Sequence, residues 1–194
     1  MKIIHADNVE ANKLEIVEAI KRGDIFIYPT DTIYGMGCNA TLESQVQKLR
    51  TIKKRAHGNP LSVIAPSKEW IVEHCLADDE RLLDKLPGPY TLIFHRKHKE
   101  VVAPSINSND DSLGVRIIHH WFQKYVTEAG VPFVTTSVNL AGDKYMQKFK
   151  DIPEEIKNSV DYIIYEGERK GVPSAKLDYA HTKVPNVSSR KNPT

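Results

Sequence analysis

Little in this 194-residue chain advertises a cofactor or a special environment. It has two cysteines, and Cys38 and Cys75 form no Cys-x-x-Cys spacing and stand in no histidine pattern. That argues against a zinc site or a disulfide framework, and for two buried free thiols in a reducing cytoplasm. Lys and Arg number 27 against 25 Asp and Glu, a net charge of +2, too small by itself to mark a nucleic-acid or membrane surface. No run approaches the roughly 20 apolar residues of a membrane span, and the N-terminus lacks a charged-then-apolar leader, so a soluble, cytoplasmic protein with no membrane partner is expected. Gly-x-x-x-x-Gly-Lys-Ser/Thr and Gly-x-Gly-x-x-Gly are both missing, so a phosphate site must rest on Lys, Arg and hydroxyls. No carboxylate cluster suggests a protein-built metal cage, and no metal site is expected.

What is present is an ordinary globular balance, 27% charged and 40% hydrophobic, enough for one domain with a sizeable core. That domain is expected over 1–184, with 185–194 a flexible tail of little apolar content. The centre of the pattern is Ile25–Gly37. Ile25, Phe26, Ile27 and Tyr28 suit a strand buried on both faces, and Pro29 ends it. Thr30, Asp31 and Thr32 follow where open α/β sheets bind ligands, and Gly35 and Gly37 read as the close of a binding loop or of a plain turn.

Helical periodicity over Val9–Arg22 stops at Gly23, and a second amphipathic helix runs from Leu42 to Ile52 with Thr41 available as its N-cap. Leu61–Ala65 reads as a strand, Ser67 caps a helix through about Ala77, and Asp78–Leu86 carries another. Tyr90–Phe94 and Leu113–Ile118 are strand-like, with Lys97–Asp111 between them as an exposed connection. A helix over Trp121–Ala129, a strand over Val131–Thr136, a short helix over Ile152–Asn158 and a strand over Val160–Tyr165 follow, after which periodicity fades. Strands interleaved with helices predict an α/β fold, a twisted mixed sheet with flanking helices, mixed because no crossover helix separates Tyr90–Phe94 from Leu113–Ile118.

Several residues carry candidate chemistry. Lys53 and Arg55 would diverge by about 200° on a continuing helix, but a helix that ends near Lys53 lets both face one anion. The alternative is a solvated basic helix end that complements the macrodipole. Thr135-Thr136-Ser137-Val138-Asn139 repeats the opening design, a buried strand running into hydroxyls and an amide, as a ligand contact or as a capped turn. Ser137 lies in no nucleophile elbow. Arg116 interrupts an apolar strand and must be paired, exposed or aimed at an anion. His119 and His120 are adjacent on an extended segment and so face opposite ways, which disfavours a shared metal.

Taken together, Tyr28-Pro29-Thr30-Asp31-Thr32-Ile33-Tyr34-Gly35, Lys53-x-Arg55, Asn59-Pro60-Leu61-Ser62, Pro87-Gly88-Pro89-Tyr90-Thr91, Gly114-Val115-Arg116 and Thr136-Ser137-x-Asn139-Leu140-x-Gly142 resemble the YrdC/Sua5 family in order and spacing. The resemblance implies a sheet around a positively charged crevice and a nucleotidyltransferase. In this family L-threonylcarbamoyladenylate (threonylcarbamoyl-AMP) and pyrophosphate are made from ATP, L-threonine and bicarbonate or CO2. The product goes to a separate tRNA threonylcarbamoyl transferase for the t6A modification. By the same resemblance Lys53 and Arg55 are catalytic, and they bind ATP together with Asn59, Ser137, Asn139 and Arg190. Thr32, Arg116, Thr135 and Ser174 hold threonine, and Mg2+ arrives on ATP. Departures are Ile118 in place of a proline, Ala175-Lys176 after Ser174, and Val187-Ser188-Ser189-Arg190 in place of a closing Leu-Arg-x-Gly. At this length the chain resembles the short, single-domain form. A non-catalytic RNA-binding module on the same fold is the alternative reading, and RNA contact is compatible with both.

Overall fold

Ile25 and Ile27 point into one apolar layer and Phe26 and Tyr28 into another, the period-two alternation of a strand buried on both faces. The computed structural model describes residues 1–56, 58–77 and 79–182, and the backbone of 187–188. Its strands are β1 (Lys2–His5), β2 (Phe26–Tyr28), β3 (Gly35–Gly37), β4 (Ser62–Ile64), β5 (Tyr90–His95), β6 (Ser112–Arg116), β7 (Phe133–Ser137), β8 (Tyr162–Tyr165), β9 (Ala175–Asp178) and β10 (Val187–Ser188). They form one mixed sheet in the order β1-β8-β2-β3-β7-β4-β6-β5-β9-β10. As expected without a crossover helix, β5 and β6 pair antiparallel.

Among the described residues five α-helices flank the sheet: α1 (Lys13–Arg22), α2 (Glu43–Ile52), α3 (Lys68–His74), α4 (Gln123–Ala129) and α5 (Glu154–Lys157). Ile16, Val17 and Ile20 of α1 and Phe122, Tyr125 and Val126 at α4 cover Phe26, Tyr28, Ile64 and Phe133. Tyr28 stacks on Phe122 at 4.4 Å, adding aromatic attraction to the area buried. Val46 and Leu49 of α2 and Ile71 of α3 share the other layer with Val63, Val115 and Val134. Gly23 and Gly130 end α1 and α4 in left-handed geometry. No helix among the described residues is long and apolar enough to cross a membrane.

The structure corrects several expectations. Gly35–Gly37 is a strand antiparallel to β2, so the polar loop is confined to Pro29–Tyr34. Glycine is required there because a Cβ at Gly35 would stand 2.8 Å from the Tyr28 ring. Thr41 does not cap α2: its N–H and hydroxyl donate to Asn39 Oδ1 at 3.0 and 2.7 Å, and Leu42 takes the N-cap position without a side-chain bond. The Lys97–Asp111 connection is anchored, since Val102, Ala103 and Ile106 are buried and two 3-10 turns, Lys99–Val101 and Pro104–Ile106, fold it down. Glu80–Lys85 is a 3-10 helix. Strands β1 and β9 went unanticipated because each buries one residue, Ile4 and Leu177. Of the expected tail, Val187 and Ser188 pair with Leu177 and Lys176, and the rest of 185–194 lies outside the described residues.

Candidate functional site

The sheet face that is aromatic under α1 and α4 turns polar along the same strands. Phe133 gives way to Thr135 and Ser137 two and four residues on, Ile64 is preceded by Ser62, and Ser62 pairs with both Thr135 and Gly114. There a cleft of about 600 Å³ opens, lined among others by Thr32, Lys53, Arg55, Asn59, Arg116, Thr135, Ser137, Asn139 and Ser174. Those are all the site residues expected from the sequence except Arg190, which lies outside the described residues.

The end of α2 explains how Lys53 and Arg55 reach one cleft. Lys53 is the last right-handed residue, and Lys54 adopts φ 50°, a left-handed step. Lys54 N–H then donates to Thr51 O and Arg55 N–H to Arg50 O, both at 3.0 Å, the two bonds of a Schellman closure. The chain reverses between the two cations, so the helical divergence never applies. Lys53, 1% exposed, donates from Nζ to Ser137 O, to Asn139 O at 2.9 Å and to Asn139 Oδ1 at 3.1 Å. Arg55 donates from Nε to Asn59 O at 3.1 Å and from Nη2 to Pro60 O at 2.7 Å. Ser137 Oγ donates to Asn139 Oδ1 at 2.6 Å rather than to a base, so nothing here activates it as a nucleophile.

The loop after β2 builds the opposite wall. Thr30 Oγ1 donates to Ile33 O at 2.6 Å and accepts from Thr32 N–H at 3.1 Å, which turns the chain back into β3. Arg116, 4% exposed at the end of β6, donates from Nη2 to Asp31 Oδ1 at 2.5 Å and from Nη1 to Thr32 Oγ1 at 3.3 Å. Burial lowers the Arg116 pKa, with the Asp31 carboxylate opposing. Asp31 Oδ2 also accepts from His119 N–H at 3.1 Å.

Residues 166–174 close this side more firmly than their weak periodicity suggests. Tyr34 Oη donates to Gly167 O at 2.8 Å and accepts from Glu166 N–H at 3.0 Å, and Tyr145 Oη donates to Gly171 O at 3.2 Å. Gly171 lies so near the Thr32 backbone that a Cβ there would fall 1.8 Å from Thr32 O. Ser174 Oγ and Thr91 Oγ1 share a hydrogen bond of 2.8 Å on the cleft wall.

Sequence reasoning missed Asp31 as the partner of Arg116, although a buried strand arginine calls for an acid. It also missed Lys176, in β9, which lines the cleft two residues after Ser174; the two-residue spacing of an extended chain carried that signal. Among the described lining residues the cations are Lys53, Arg55, Arg116 and Lys176, and Asp143 is the one carboxylate. Such a set suits a polyphosphate and a small carboxylate.

The family described as telomere recombination, which groups Sua5, YciO and YrdC, matches residues 18–187. A Methanocaldococcus jannaschii protein is 33% identical over 92% of this chain and 87% of its own length. A Vibrio campbellii threonylcarbamoyl-AMP synthase is 30% identical over 81% of this chain and 87% of its own. Among solved structures, P. abyssi Sua5 complexed with L-threonine superposes with a TM-score of 0.85 at 27% identity, covering 96% of this chain, which spans 56% of that protein. E. coli YciO shares the fold, with a TM-score of 0.83 at 23% identity over 97% of this chain and 93% of its own. With the match running through the cleft-lining loops as well as the sheet, this chain belongs to the Sua5/YciO/YrdC family.

Proposed function

We propose that this protein is an L-threonylcarbamoyladenylate synthase. The observation that carries the reading is one cleft joining the Lys53–Arg55–Asn139 group to Arg116, whose buried Nε is left without a hydrogen-bond partner. A threonine carboxylate supplies that acceptor, and Thr32 and Ser174 hold its other polar groups. The threonine amine adds CO2, drawn from bicarbonate, losing a proton to give a carbamate. A carbamate oxygen then attacks the α-phosphorus of ATP, the bond to the β-phosphate oxygen breaks, and pyrophosphate leaves with that electron pair. No protein nucleophile is needed. Arg55 and Lys53 counter the charge that builds on the phosphates, and a phosphate oxygen replacing Asn139 Oδ1 keeps the Lys53 ammonium saturated. Asn59, Ser137 and Thr135 line the path between the two substrates. Mg2+ enters as part of the MgATP substrate.

The product is passed to a separate tRNA threonylcarbamoyl transferase for t6A synthesis. The reading places the enzyme in the cytoplasm, in keeping with Cys38 and Cys75, which are unpaired and buried, their thiols pushed up to about 12 by burial. Pyrophosphate release from ATP tests the reading. It is expected only when L-threonine and bicarbonate are both supplied. Release without bicarbonate overturns the carbamate route, and RNA binding with no release in any mixture makes the protein a binding module.

A further inference from the structure

Arg50 is a charged residue that the cleft does not contain and the helix does not expose. It is 2% exposed in the last turn of α2, four residues after the core residue Val46. Among the described residues its guanidinium donates only to backbone carbonyls, and they belong to two loops: from Nε to Ser105 O at 2.6 Å, from Nη1 to Ala56 O at 3.0 Å, and from Nη2 to Asn59 O at 3.0 Å and Ile106 O at 3.3 Å. Burying an arginine to satisfy four carbonyls is a costly way to hold a helix, and a simple apolar residue would serve the core better. The gain lies in what those carbonyls belong to.

Ala56 and Asn59 bracket the turn that follows Arg55, closed by Asn59 N–H to Ala56 O at 3.1 Å. Asn59 O accepts from Arg50 Nη2 and also from Arg55 Nε, so the two guanidiniums are braced against one oxygen. The second loop is gripped from both ends of α2: Glu43 accepts from the Ser105 N–H at 3.0 Å and from its hydroxyl, while Arg50 takes its carbonyl. That loop in turn supports the start of β4, because Leu61 N–H donates to Ile106 O at 2.8 Å, and Asn109 Nδ2 holds Gly58 O at 2.8 Å.

We propose that Arg50 is a positioning residue for nucleotide binding: from inside the Ala56–Asn59 turn it fixes the Asn59 carbonyl on which Arg55 Nε is braced, and so sets where Arg55 meets the triphosphate. It acts through Arg55 and touches no substrate. The inference rests on ATP being the ligand of this cleft, and it predicts a loss confined to that substrate.

The test uses Arg50→Met and Arg50→Lys in the full chain. Lysine keeps the charge and the stem but not the four-way fork, so it reports even if the methionine variant does not fold. Both variants are expected to raise KM for ATP at least tenfold with KM for threonine changed less than twofold. The Asn59 and Leu61 amides should exchange at least tenfold faster while those of β7 stay protected. In an Arg55→Ala background, Arg50→Lys should change KM for ATP less than twofold. An equal rise in both KM values, or the same tenfold loss when Arg55 is already absent, overturns the positioning role and leaves Arg50 a stability residue. A wild-type protein that forms no product overturns the proposed function instead, and the amide exchange still decides whether Arg50 holds the turn.

Discussion

Arg116 spends two of its nitrogens on Asp31 and Thr32 and leaves Nε, buried, with no partner among the described residues. Asp31 is its ion pair, at 9% and 5% side-chain exposure for the two partners. Removing one member of such a pair strands a charge away from water. Asp31→Ala is therefore expected to destabilise the fold by about 3–5 kcal/mol in urea unfolding, with Asp31→Asn losing less because an acceptor remains. L-Threonine should protect the wild type against urea and protect Asp31→Ala much less, since Arg116 is no longer held beneath it. Loss within 0.5 kcal/mol for Asp31→Ala would mean that water reaches Arg116 freely.

Lys54 is the one non-glycine residue with positive φ among the described residues, and the reversal it makes is what aims Lys53 and Arg55 together. Left-handed geometry costs an L-residue roughly 1–2 kcal/mol, while glycine forfeits about 0.5–1 kcal/mol of chain entropy. Lys54→Gly should stabilise the protein by about 0.5–1 kcal/mol with turnover unchanged, and Lys54→Val should do the reverse. Its side chain pairs with exposed Glu155, at 2.8 Å, a contact worth little. Destabilisation by glycine would show that the reversal is not held in this form.

What the sequence made legible follows its periodicity. Ile25–Tyr28, Val46, Leu49 and Phe133–Val134 were readable because apolar residues recur at strand or helix spacing and all of them are buried. Gly35–Gly37 was misread since two glycines in three residues look like a turn, whereas the Tyr28 ring against Gly35 and the Val134 carbonyl, 1.8 Å from where a Cβ on Gly37 would stand, make glycine a strand residue there. The candidate site was legible as separate motifs, each at the end of an element. Their convergence was not, because it depends on pairings such as Ser62 with both Thr135 and Gly114 that no local pattern announces. Arg50 could have been found: Val46, Arg50 and Lys53 share one helical stripe, and a cation on the apolar stripe must find acceptors.

Lys53→Ala and Arg55→Ala should each lower kcat/KM by about 2–4 kcal/mol of transition-state stabilisation, as when one charge-stabilising donor is removed. Lys21→Ala is the control. It is exposed on α1, where Lys21 Nζ pairs with Glu18 at 3.0 Å, and it should be neutral. The two losses should differ in stability, however. Lys53 Nζ ties α2 to the Ser137–Asn139 carbonyls inside the protein, so its alanine variant should also melt earlier, whereas Arg55→Ala should cost mainly activity. Equal activity in all three variants would make the basic cluster structural.

Two histidines should titrate on opposite sides of the ordinary value near 6.5. His120 Nδ1 accepts from Phe122 N–H at 3.3 Å, which leaves Nε2 to donate to Glu166 at 3.1 Å, and the neutral ring satisfies both contacts. Burial, followed by the nearby Arg169 charge, pushes its pKa down to about 4 against the pull of Asp31. His181 is the opposite case. Its Nδ1 meets Asp178 at 3.0 Å and its Nε2 meets Asp110 at 3.2 Å, so only the imidazolium donates to both. The bond to Asp178 first, helped by Asp110, raises its pKa, and His95 stacks edge-on with ring centroids 5.6 Å apart. Because the folded state depresses the His120 pKa, its contribution to stability is complete above about 6.5 and is lost as pH falls toward 4. Because the folded state raises the His181 pKa, its contribution is complete below about 6.5 and is lost as pH rises through the folded value. Histidine Cε1–H chemical shifts followed from about pH 3 to 9 should show one midpoint below 6.5 that disappears in His120→Gln and one above 6.5 that disappears in His181→Gln. Midpoints that coincide near 6.5 would mean that His120 is open to water in solution and that His181 is not held by its carboxylates, so that the Asp110 loop is not clasped to the end of β9.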